Sequence, residues 1–391
     1  MRTSELLDNI ASHICNNLQQ QSDICKSLLG GDFGSVMFLY YYSKFKHSYE
    51  EKADSLLDKI LNDSQKELYS YCNGLAGFGI GLSHLEKDGF ISGAIDSLTK
   101  YDRNLSIALD IELYNNNHDF LHGFIGLGFY FLQRCLDGNF ICNYDLEKII
   151  SHLIVTSEQT EKGIRWAISN DPQKRYNISL SHGISGTLIL LSRIYTLKYT
   201  TNIMKYRIRT LAIGAIEYIM SQALDPETNG SYFPSTSIEC SINTYSRLGW
   251  CYGDLGVALA LLEAGETFEN SVAIQKAHEV LKYNAIFRRD LKSNLVSDCC
   301  ICHGAAGIAL VFEEMFYKTN DKIFLEAFNY WKNIVVSNAM IVSDGVAYDY
   351  YKGENGFCEP SDTILNGTSG VGLFLLGSGN SPLANLLLIR K

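Results

Sequence analysis

The sequence predicts an all-α protein, an α/α toroid in which seven inner and seven outer helices form a double ring. Three observations predict this fold: a short glycine pattern recurs seven times, an apolar run follows each copy, and amphipathic stretches separate the copies. Prolines, which interrupt helices, number only five in 391 residues. We therefore expect residues 1–391 to form a single domain of seven helix-pair repeats.

The recurring pattern is a glycine, two further residues, a second glycine and an apolar run. Successive copies begin 43, 49, 60, 70, 51 and 63 residues apart, which leaves room for two helices and their connections. A glycine just before a helix permits a tight loop, and two glycines on one helix edge let neighbouring backbones approach closely. The first glycines of the seven copies are Gly31, Gly74, Gly123, Gly183, Gly253, Gly304 and Gly367.

The apolar runs and the stretches between them predict different helices. The run after each glycine pair is apolar on all sides, which is typical of an inner helix buried on both faces. Residues 48–63 and 201–222 instead show apolar residues three and four apart with charges between them, as expected for outer, half-exposed helices. Residues 225–246 contain two prolines together with β-branched and aromatic residues, so we expect an irregular or β-containing insertion there.

Composition narrows the function classes. The chain has 43 acidic and 33 basic residues and a net charge of −10, so it lacks the basic field that binds nucleic acid or anionic lipid. Its eleven cysteines do not have the regular spacing of a small secreted disulfide scaffold, which indicates a reducing compartment. The sequence shows neither a signal peptide nor an apolar run long enough to span a membrane, and we expect a cytoplasmic protein.

Aligning the copies on their first glycines brings out a candidate metal site. Cys251 and Cys302 both stand two residues before that glycine in consecutive copies, and His303 follows Cys302. Two thiolates and an imidazole suit Zn²⁺, and three protein ligands leave the fourth position open, as in a catalytic site. Cys299 and Cys300 are rival thiols, but only Cys302 has the repeat offset. Cys72 shares that offset in a copy that a ring would place away from the other two, which favours a core position.

Several motifs together resemble the lanthionine synthetase C-like (LanC) family, and the resemblance covers essentially the whole chain. They are WCYG at Trp250–Gly253, CHG at Cys302–Gly304, SHGISG at Ser181–Gly186 and the sevenfold glycine pattern. The resemblance implies an α/α toroid in which Cys251, Cys302 and His303 bind zinc. It also implies an activity in lanthipeptide (lantibiotic) biosynthesis: cysteine thiolates add to dehydroalanine or dehydrobutyrine of the same peptide, forming lanthionine or methyllanthionine rings.

Four further residues match functional positions of that family. They are Asp119 in DFLHG, His182 in SHGISG, and the arginine and tyrosine Arg247 and Tyr252. His182 is the expected general acid, because an imidazole with an ordinary pKa near 6.5 exchanges protons at neutral pH. Asp119 would orient or charge a histidine, while Arg247 and Tyr252 would stabilise an enolate oxygen. His122 is open to two interpretations, as a cavity-lining residue or as a packed loop residue.

The resemblance also implies partners for the protein. It leaves two alternative functions open. The implied partners are a dehydrated precursor peptide with its leader, a dehydratase and a transporter of the same pathway. Peripheral association with a membrane biosynthetic complex is compatible with this assignment. One alternative is addition of glutathione to dehydrated residues, and another is a non-catalytic, zinc-containing peptide-binding protein.

Overall fold

A computed structural model describes residues 2–62, 68–169, 171–240, 244–351 and 358–391. The chain divides into two compact units. The terminal unit comprises Met1–Leu68, Cys72–Ser97 and Arg289–Lys391, and the central unit comprises Tyr69–Tyr71 and Leu98–Arg288. The first, second, sixth and seventh glycine pairs therefore lie in the terminal unit, and the third, fourth and fifth lie in the central unit.

Helices account for most of both units. The α-helices are α1 (Thr3–Gln20), α2 (Asp32–Ser43), α3 (Glu50–Asn62), α4 (Leu75–Lys87), α5 (Ala94–Ser97), α6 (Thr99–Tyr114), α7 (Phe124–Leu136), α8 (Asn143–Thr156), α9 (Ile184–Tyr195), α10 (Asn202–Ser221), α11 (Pro226–Asn229), α12 (Asp254–Phe268), α13 (Ser271–Phe287), α14 (Ala305–Thr319), α15 (Lys322–Ser337), α16 (Thr368–Leu375) and α17 (Leu383–Leu386). Short 3₁₀ turns at His47–Tyr49 and Phe140–Cys142 precede α3 and α8.

Seven helices begin at the predicted first glycines, each of which is the N-cap residue. These helices are α2, α4, α7, α9, α12, α14 and α16. Most of their side chains are buried, as predicted for helices that are apolar all round. Among these seven caps, Gly253 alone has a positive φ, 78°, a conformation that other residues rarely adopt.

In six of the seven pairs, the second glycine makes room for the loop just before the helix. A Cβ atom at Gly370 would overlap the carbonyl oxygen of Ile364 and would also press on the side chain of Ile301. The corresponding glycines at 34, 126, 186, 256 and 307 likewise have a loop carbonyl oxygen where a Cβ would be. The glycine pair therefore brings the loop close to the first turn of its own helix and to a neighbouring copy.

The helices between the glycine copies are amphipathic. In α15 the buried residues Phe324, Ala327, Trp331 and Val335 form one stripe, which packs against α14. The pairs α2 with α3, α7 with α8, α9 with α10, and α12 with α13 pack in the same way within their units. The two stretches predicted as outer helices are confirmed as the helices α3 and α10.

The strands in the described residues form three short antiparallel hairpins. They are β1 (Glu158–Thr160) with β2 (Gly163–Arg165), β3 (Met340–Val342) with β4 (Gly345–Ala347), and β5 (Asp349–Tyr351) with β6 (Cys358–Pro360). Within the predicted insertion 225–246, residues 241–243 lie outside the described part of the chain. Its remaining residues form α11, loops and one isolated bridge between Thr236 and Asn177.

No helix in the part of the chain that the structure describes combines the length and the apolar character needed to cross a membrane.

Candidate metal and catalytic site

The loops before four of the inner helices are built on the same turn. Six positions before the first glycine, a polar side chain accepts the backbone N–H two residues further on. The pairs are Asn117 with Asp119 at 3.4 Å, Asn177 with Ser179 at 2.8 Å, Asp298 with Cys300 at 2.9 Å, and Ser361 with Thr363 at 3.4 Å. The carbonyl of the same polar residue accepts the N–H of the first helical residue. This local network fixes the residues just before each glycine, where the candidate ligands and catalytic groups lie.

Backbone hydrogen bonds also join the loops of successive copies, and together they form what we call the loop ladder. In the terminal unit, Cys302 N–H donates to Leu365 O at 2.9 Å, Leu365 N–H donates to Leu29 O at 2.9 Å, and Leu29 N–H donates to Cys72 O at 3.1 Å. All four residues stand two positions before a first glycine. In the central unit, Ser181 N–H donates to Cys251 O at 3.3 Å between residues at the same offset. The ladder therefore links each copy to the next one in a constant direction within each unit.

The central unit brings Asp119 and His182 into contact. His182 Nδ1 lies 2.5 Å from Asp119 Oδ2, and Asp119 Oδ1 accepts the backbone N–H of His122 at 2.9 Å. Burial lowers the pKa of His182, but the hydrogen bond and charge of Asp119, with a smaller contribution from Cys251, raise it above its ordinary value. The Asp119 carboxylate therefore anchors the imidazole and favours its protonated form.

Two aromatic rings lie close to the His182 ring. The Tyr252 ring centroid is 5.5 Å from that of His182, and the His122 ring stacks at 6.3 Å. Cys251 precedes Tyr252 and is buried, with 2% of its surface exposed. Its carbonyl accepts the Ser181 hydroxyl at 3.1 Å. One unit thus holds a predicted metal-ligand thiol and a histidine anchored by a carboxylate on adjoining loops.

Arg247 is half-buried in the loop that leads to Cys251. Its side chain makes no hydrogen bond or ion pair with any residue that the structure describes, so it is not joined to Asp119 or His182. The backbone around it is fixed from the other side: Arg288 donates to the carbonyl of Ser246 at 2.6 Å.

The terminal unit holds the other two predicted ligands at the end of one loop. Cys302 and His303 are both half-buried, and their potential ligand atoms lie within 4.8 Å of one another. His303 Nε2 lies 3.3 Å from Asp298 Oδ2. A carboxylate on one imidazole nitrogen leaves the other nitrogen for a metal, an arrangement common around metal-binding histidines.

The remaining thiols of the candidate region are buried. Burial, with the nearby Asp298 charge, raises the pKa of Cys299 to about 12 and also raises the pKa of Cys300. Cys300 donates to the Asp349 carbonyl at 3.6 Å. Cys72 is 4% exposed, and its carbonyl belongs to the loop ladder. Among the described residues, none of these three thiols belongs to a group of potential metal ligands.

Asp298 is the residue of this region that the sequence analysis missed. Only the positions one and two before the glycine were aligned there, whereas Asp298 stands six before Gly304. Aligning that offset would have placed it with Asn117, Asn177 and Ser361, all polar residues suited to a turn. The other six copies have two amides, one hydroxyl, an arginine, a leucine and a cysteine at this offset, so the single carboxylate is the signal that could have identified it.

The chemistry of the donor set fits zinc. Cys251, Cys302 and His303 offer two sulfurs and one imidazole nitrogen, which are the ligand types Zn²⁺ prefers. The carboxylate of Asp298 beside His303 supplies the second-layer partner usual for a zinc-bound histidine.

Comparisons with known proteins agree on the kind of protein this chain resembles. The family model described as lanthionine synthetase C-like protein matches residues 24–385. The nisin biosynthesis protein NisC of Lactococcus lactis subsp. lactis is 23% identical over 310 residues, which cover 72% of each chain.

A solved structure of a nisin cyclase shares the fold. It is 16% identical, with a TM-score of 0.73, and the match covers 98% of this chain and 96% of that one. The predicted all-α class, an α/α toroid with small β elements, is thereby confirmed.

Proposed function

Because the chain belongs to the lanthionine synthetase C-like family, we propose that it is a zinc-dependent lanthipeptide cyclase. Its substrate is a dehydrated precursor peptide with a leader. The reaction adds a cysteine thiol of that peptide to a dehydroalanine or dehydrobutyrine of the same peptide. The observation that carries the proposal is the Asp119–His182 pair on loops adjoining Cys251, because it supplies a held proton donor beside a metal-ligand thiol.

Cys251, Cys302 and His303 are the proposed zinc ligands. Their side-chain types support the assignment, and so does the fixed position of each in its loop. The loop ladder supports it further. Its hydrogen bonds hold the backbone of Cys251 in the central unit and that of Cys302 in the terminal unit. Bound zinc supplies a Lewis acid that favours the thiolate form of a substrate thiol, whose pKa is otherwise about 8.5.

His182 is the proposed general acid. The substrate sulfur bonds to the β-carbon of the dehydrated residue, the double bond opens, and its electron pair moves onto the neighbouring carbonyl as an enolate. His182 then gives its proton to the α-carbon, and the proton released by the substrate thiol restores the imidazolium. Asp119 holds the ring through Nδ1 and stabilises its charged form, so Nε2 carries the transferred proton. The product has the same composition as the substrate.

Tyr252 and Arg247 are the proposed donors to the enolate oxygen. Tyr252 lies against the His182 ring, and the Arg247 guanidinium is not engaged by a carboxylate within the described residues. Hydrogen-bond donors held where negative charge develops lower the barrier of such additions. Their contribution is secondary to that of the proton donor.

We place this activity in the cytoplasm, with a dehydratase that makes the substrate and a transporter of the same pathway as partners. The family membership supports these assignments. The net charge of −10 disfavours nucleic acid as a partner.

The test is to incubate the purified zinc-loaded protein with a dehydrated precursor peptide and then label remaining thiols with N-ethylmaleimide. Cyclisation leaves the peptide mass unchanged before labelling and removes its reactive thiols. A mass increase in the presence of glutathione would instead support glutathione addition, and complete labelling would support a binding protein without turnover.

Two variants sharpen this test. Cys251→Ala should lose both stoichiometric zinc and cyclisation, whereas His182→Ala should keep zinc and lose cyclisation. Full cyclisation by a metal-free Cys251→Ala protein would contradict the proposed metal role, and a parent rate in His182→Ala would contradict the proposed proton donor.

A further inference from the structure

We propose that Asp298 is a positioning residue for His303: it holds the imidazole through Nε2, so that Nδ1 is the nitrogen that binds zinc. This inference rests on the proposed zinc site. Asp298 and His303 both belong to the terminal unit, and Asp298 is not one of the proposed ligands.

The contact between the two side chains is buried and direct. Asp298 Oδ2 lies 3.3 Å from His303 Nε2, and the exposed fractions of the two side chains are 2% for Asp298 and 15% for His303. A carboxylate that is almost completely removed from water requires compensation, and here the neighbouring groups are the imidazole and two backbone N–H groups.

Comparison among the repeats shows that the two carboxylate oxygens of Asp298 have different partners. Oδ1 accepts the N–H of Cys300 at 2.9 Å, which is the turn bond that Asn117 and Asn177 make with one amide oxygen. The turn therefore does not need a carboxylate. Oδ2 is the additional atom: it accepts the Tyr351 N–H at 3.1 Å and faces His303.

The additional oxygen has a chemical use at a metal-binding histidine. A carboxylate that accepts one imidazole N–H fixes the tautomer and the ring orientation, and it makes the other nitrogen a better ligand. Asparagine at this position would keep the turn but would present an N–H₂ group, or an uncharged oxygen, to Nε2. Asp298→Asn therefore removes the charged acceptor next to Nε2 and keeps the turn bond to Cys300, while the Tyr351 N–H loses its carboxylate acceptor.

The experiment compares the zinc affinity of the parent protein with that of Asp298→Asn and of the matched control Asn117→Ala. Asn117→Ala removes the same turn bond in a copy without a proposed ligand. Affinity is measured by competition with a chromophoric chelator, and the thermal stability of the metal-free proteins is recorded alongside. We expect Asp298→Asn to bind zinc about 10- to 100-fold more weakly. We expect Asn117→Ala to lower thermal stability with an unchanged zinc affinity.

X-ray absorption of the zinc-loaded proteins distinguishes positioning from direct ligation. Parent and Asp298→Asn should show the same ligand set, two sulfurs and one imidazole from the protein, despite the difference in affinity. Loss of an oxygen ligand in Asp298→Asn would mean that Asp298 binds the metal itself and would overturn the inference. Equal affinities in parent and Asp298→Asn, or equal weakening by both substitutions, would overturn it as well. A parent protein that binds no zinc would instead refute the proposed zinc site.

Discussion

His182 Nδ1 and Asp119 Oδ2 are 2.5 Å apart, although the two residues are separated by 63 positions in the chain. Each belongs to a loop that precedes an inner helix, so the contact depends on two repeats packing side by side. This carboxylate opposes the effect of burial on the His182 pKa and so favours the charged form of the ring.

Asp119→Asn should impair cyclisation while leaving the zinc ligands intact. Loss of the anionic partner lowers the pKa of His182 and no longer fixes which ring nitrogen carries the proton. General acid catalysis of this kind contributes about 10²- to 10⁴-fold in rate. The measurement is the single-turnover rate of thiol loss together with zinc content. Asp110→Asn, on the exposed face of α6, is the control. A rate for Asp119→Asn equal to that of the control would refute the role of Asp119.

Gly370→Ala should destabilise the protein. The new Cβ would overlap the Ile364 carbonyl oxygen, and backbone cannot move aside as a side-chain end can. Overpacking of this kind costs about 1–3 kcal/mol. Gly379→Ala is the matched control, because its Cβ meets nothing within 4 Å. Urea denaturation gives the free energies of unfolding, and similar values for the two variants would show that the loop tolerates the added methyl.

His13 should make the stability of the protein fall in mildly alkaline solution. Its Nε2 lies 3.2 Å from Asp362 and its Nδ1 2.9 Å from Asp344. Hydrogen bonding to Asp362, with that to Asp344, outweighs burial and raises its pKa to about 9. Because the pKa in the folded state exceeds the ordinary value of 6.5, the stabilisation is complete below about pH 6.5 and is lost as the pH rises through about 9.

This stabilisation is on the order of 3 kcal/mol at most. Unfolding free energies measured from pH 6 to pH 10 should therefore decline more steeply for the parent than for His13→Gln. His47→Gln is the control, because the His47 side chain is 91% exposed. Parallel pH profiles for parent and His13→Gln would remove His13 as the cause.

Arg288→Met should destabilise the central unit by about 3–5 kcal/mol. Arg288 Nη1 lies 3.2 Å from Asp254 Oδ2, and the exposed fractions of the side chains are 3% for Arg288 and 0% for Asp254. Removing the cation leaves a buried carboxylate with neutral donors only, from the N–H groups of Tyr232 and Phe233 and from Asn284. Thermal unfolding against Arg209→Met, a substitution on the exposed side of α10, measures the effect. Equal melting temperatures would mean that the ion pair contributes nothing net.

Much of the fold could be predicted from the sequence because the glycines act locally. Each first glycine caps an inner helix, since the loop must turn there, and each following run is buried because apolar residues dominate on all sides of the helix. The three hairpins could not be predicted in the same way. With three residues per strand, β3 and β4 are too short for an alternating pattern to be distinguished from a loop.

The candidate site could be predicted only where residues at the same offset before the first glycine of their copies occupy equivalent places in the fold. The offset drew attention to Cys251, Cys302 and His303, and the family resemblance added Asp119. That Asp119 meets His182 and not another histidine depends on which loops adjoin, and short-range spacing does not contain that information. Asp298 was missed because the same residue type is an ordinary turn former, and its second oxygen acquires a use only beside His303.

The Leu365 N–H donates to the Leu29 carbonyl, so the loop of the first repeat obtains this hydrogen bond from the seventh repeat. During synthesis on a ribosome, the hydrogen-bond donor of the first loop is made only after almost the whole chain has been synthesised. We therefore expect the terminal unit to be the last part of a nascent chain to acquire protection from proteases. Premature termination before Leu365 would leave that loop without its donor, however complete the preceding helices are.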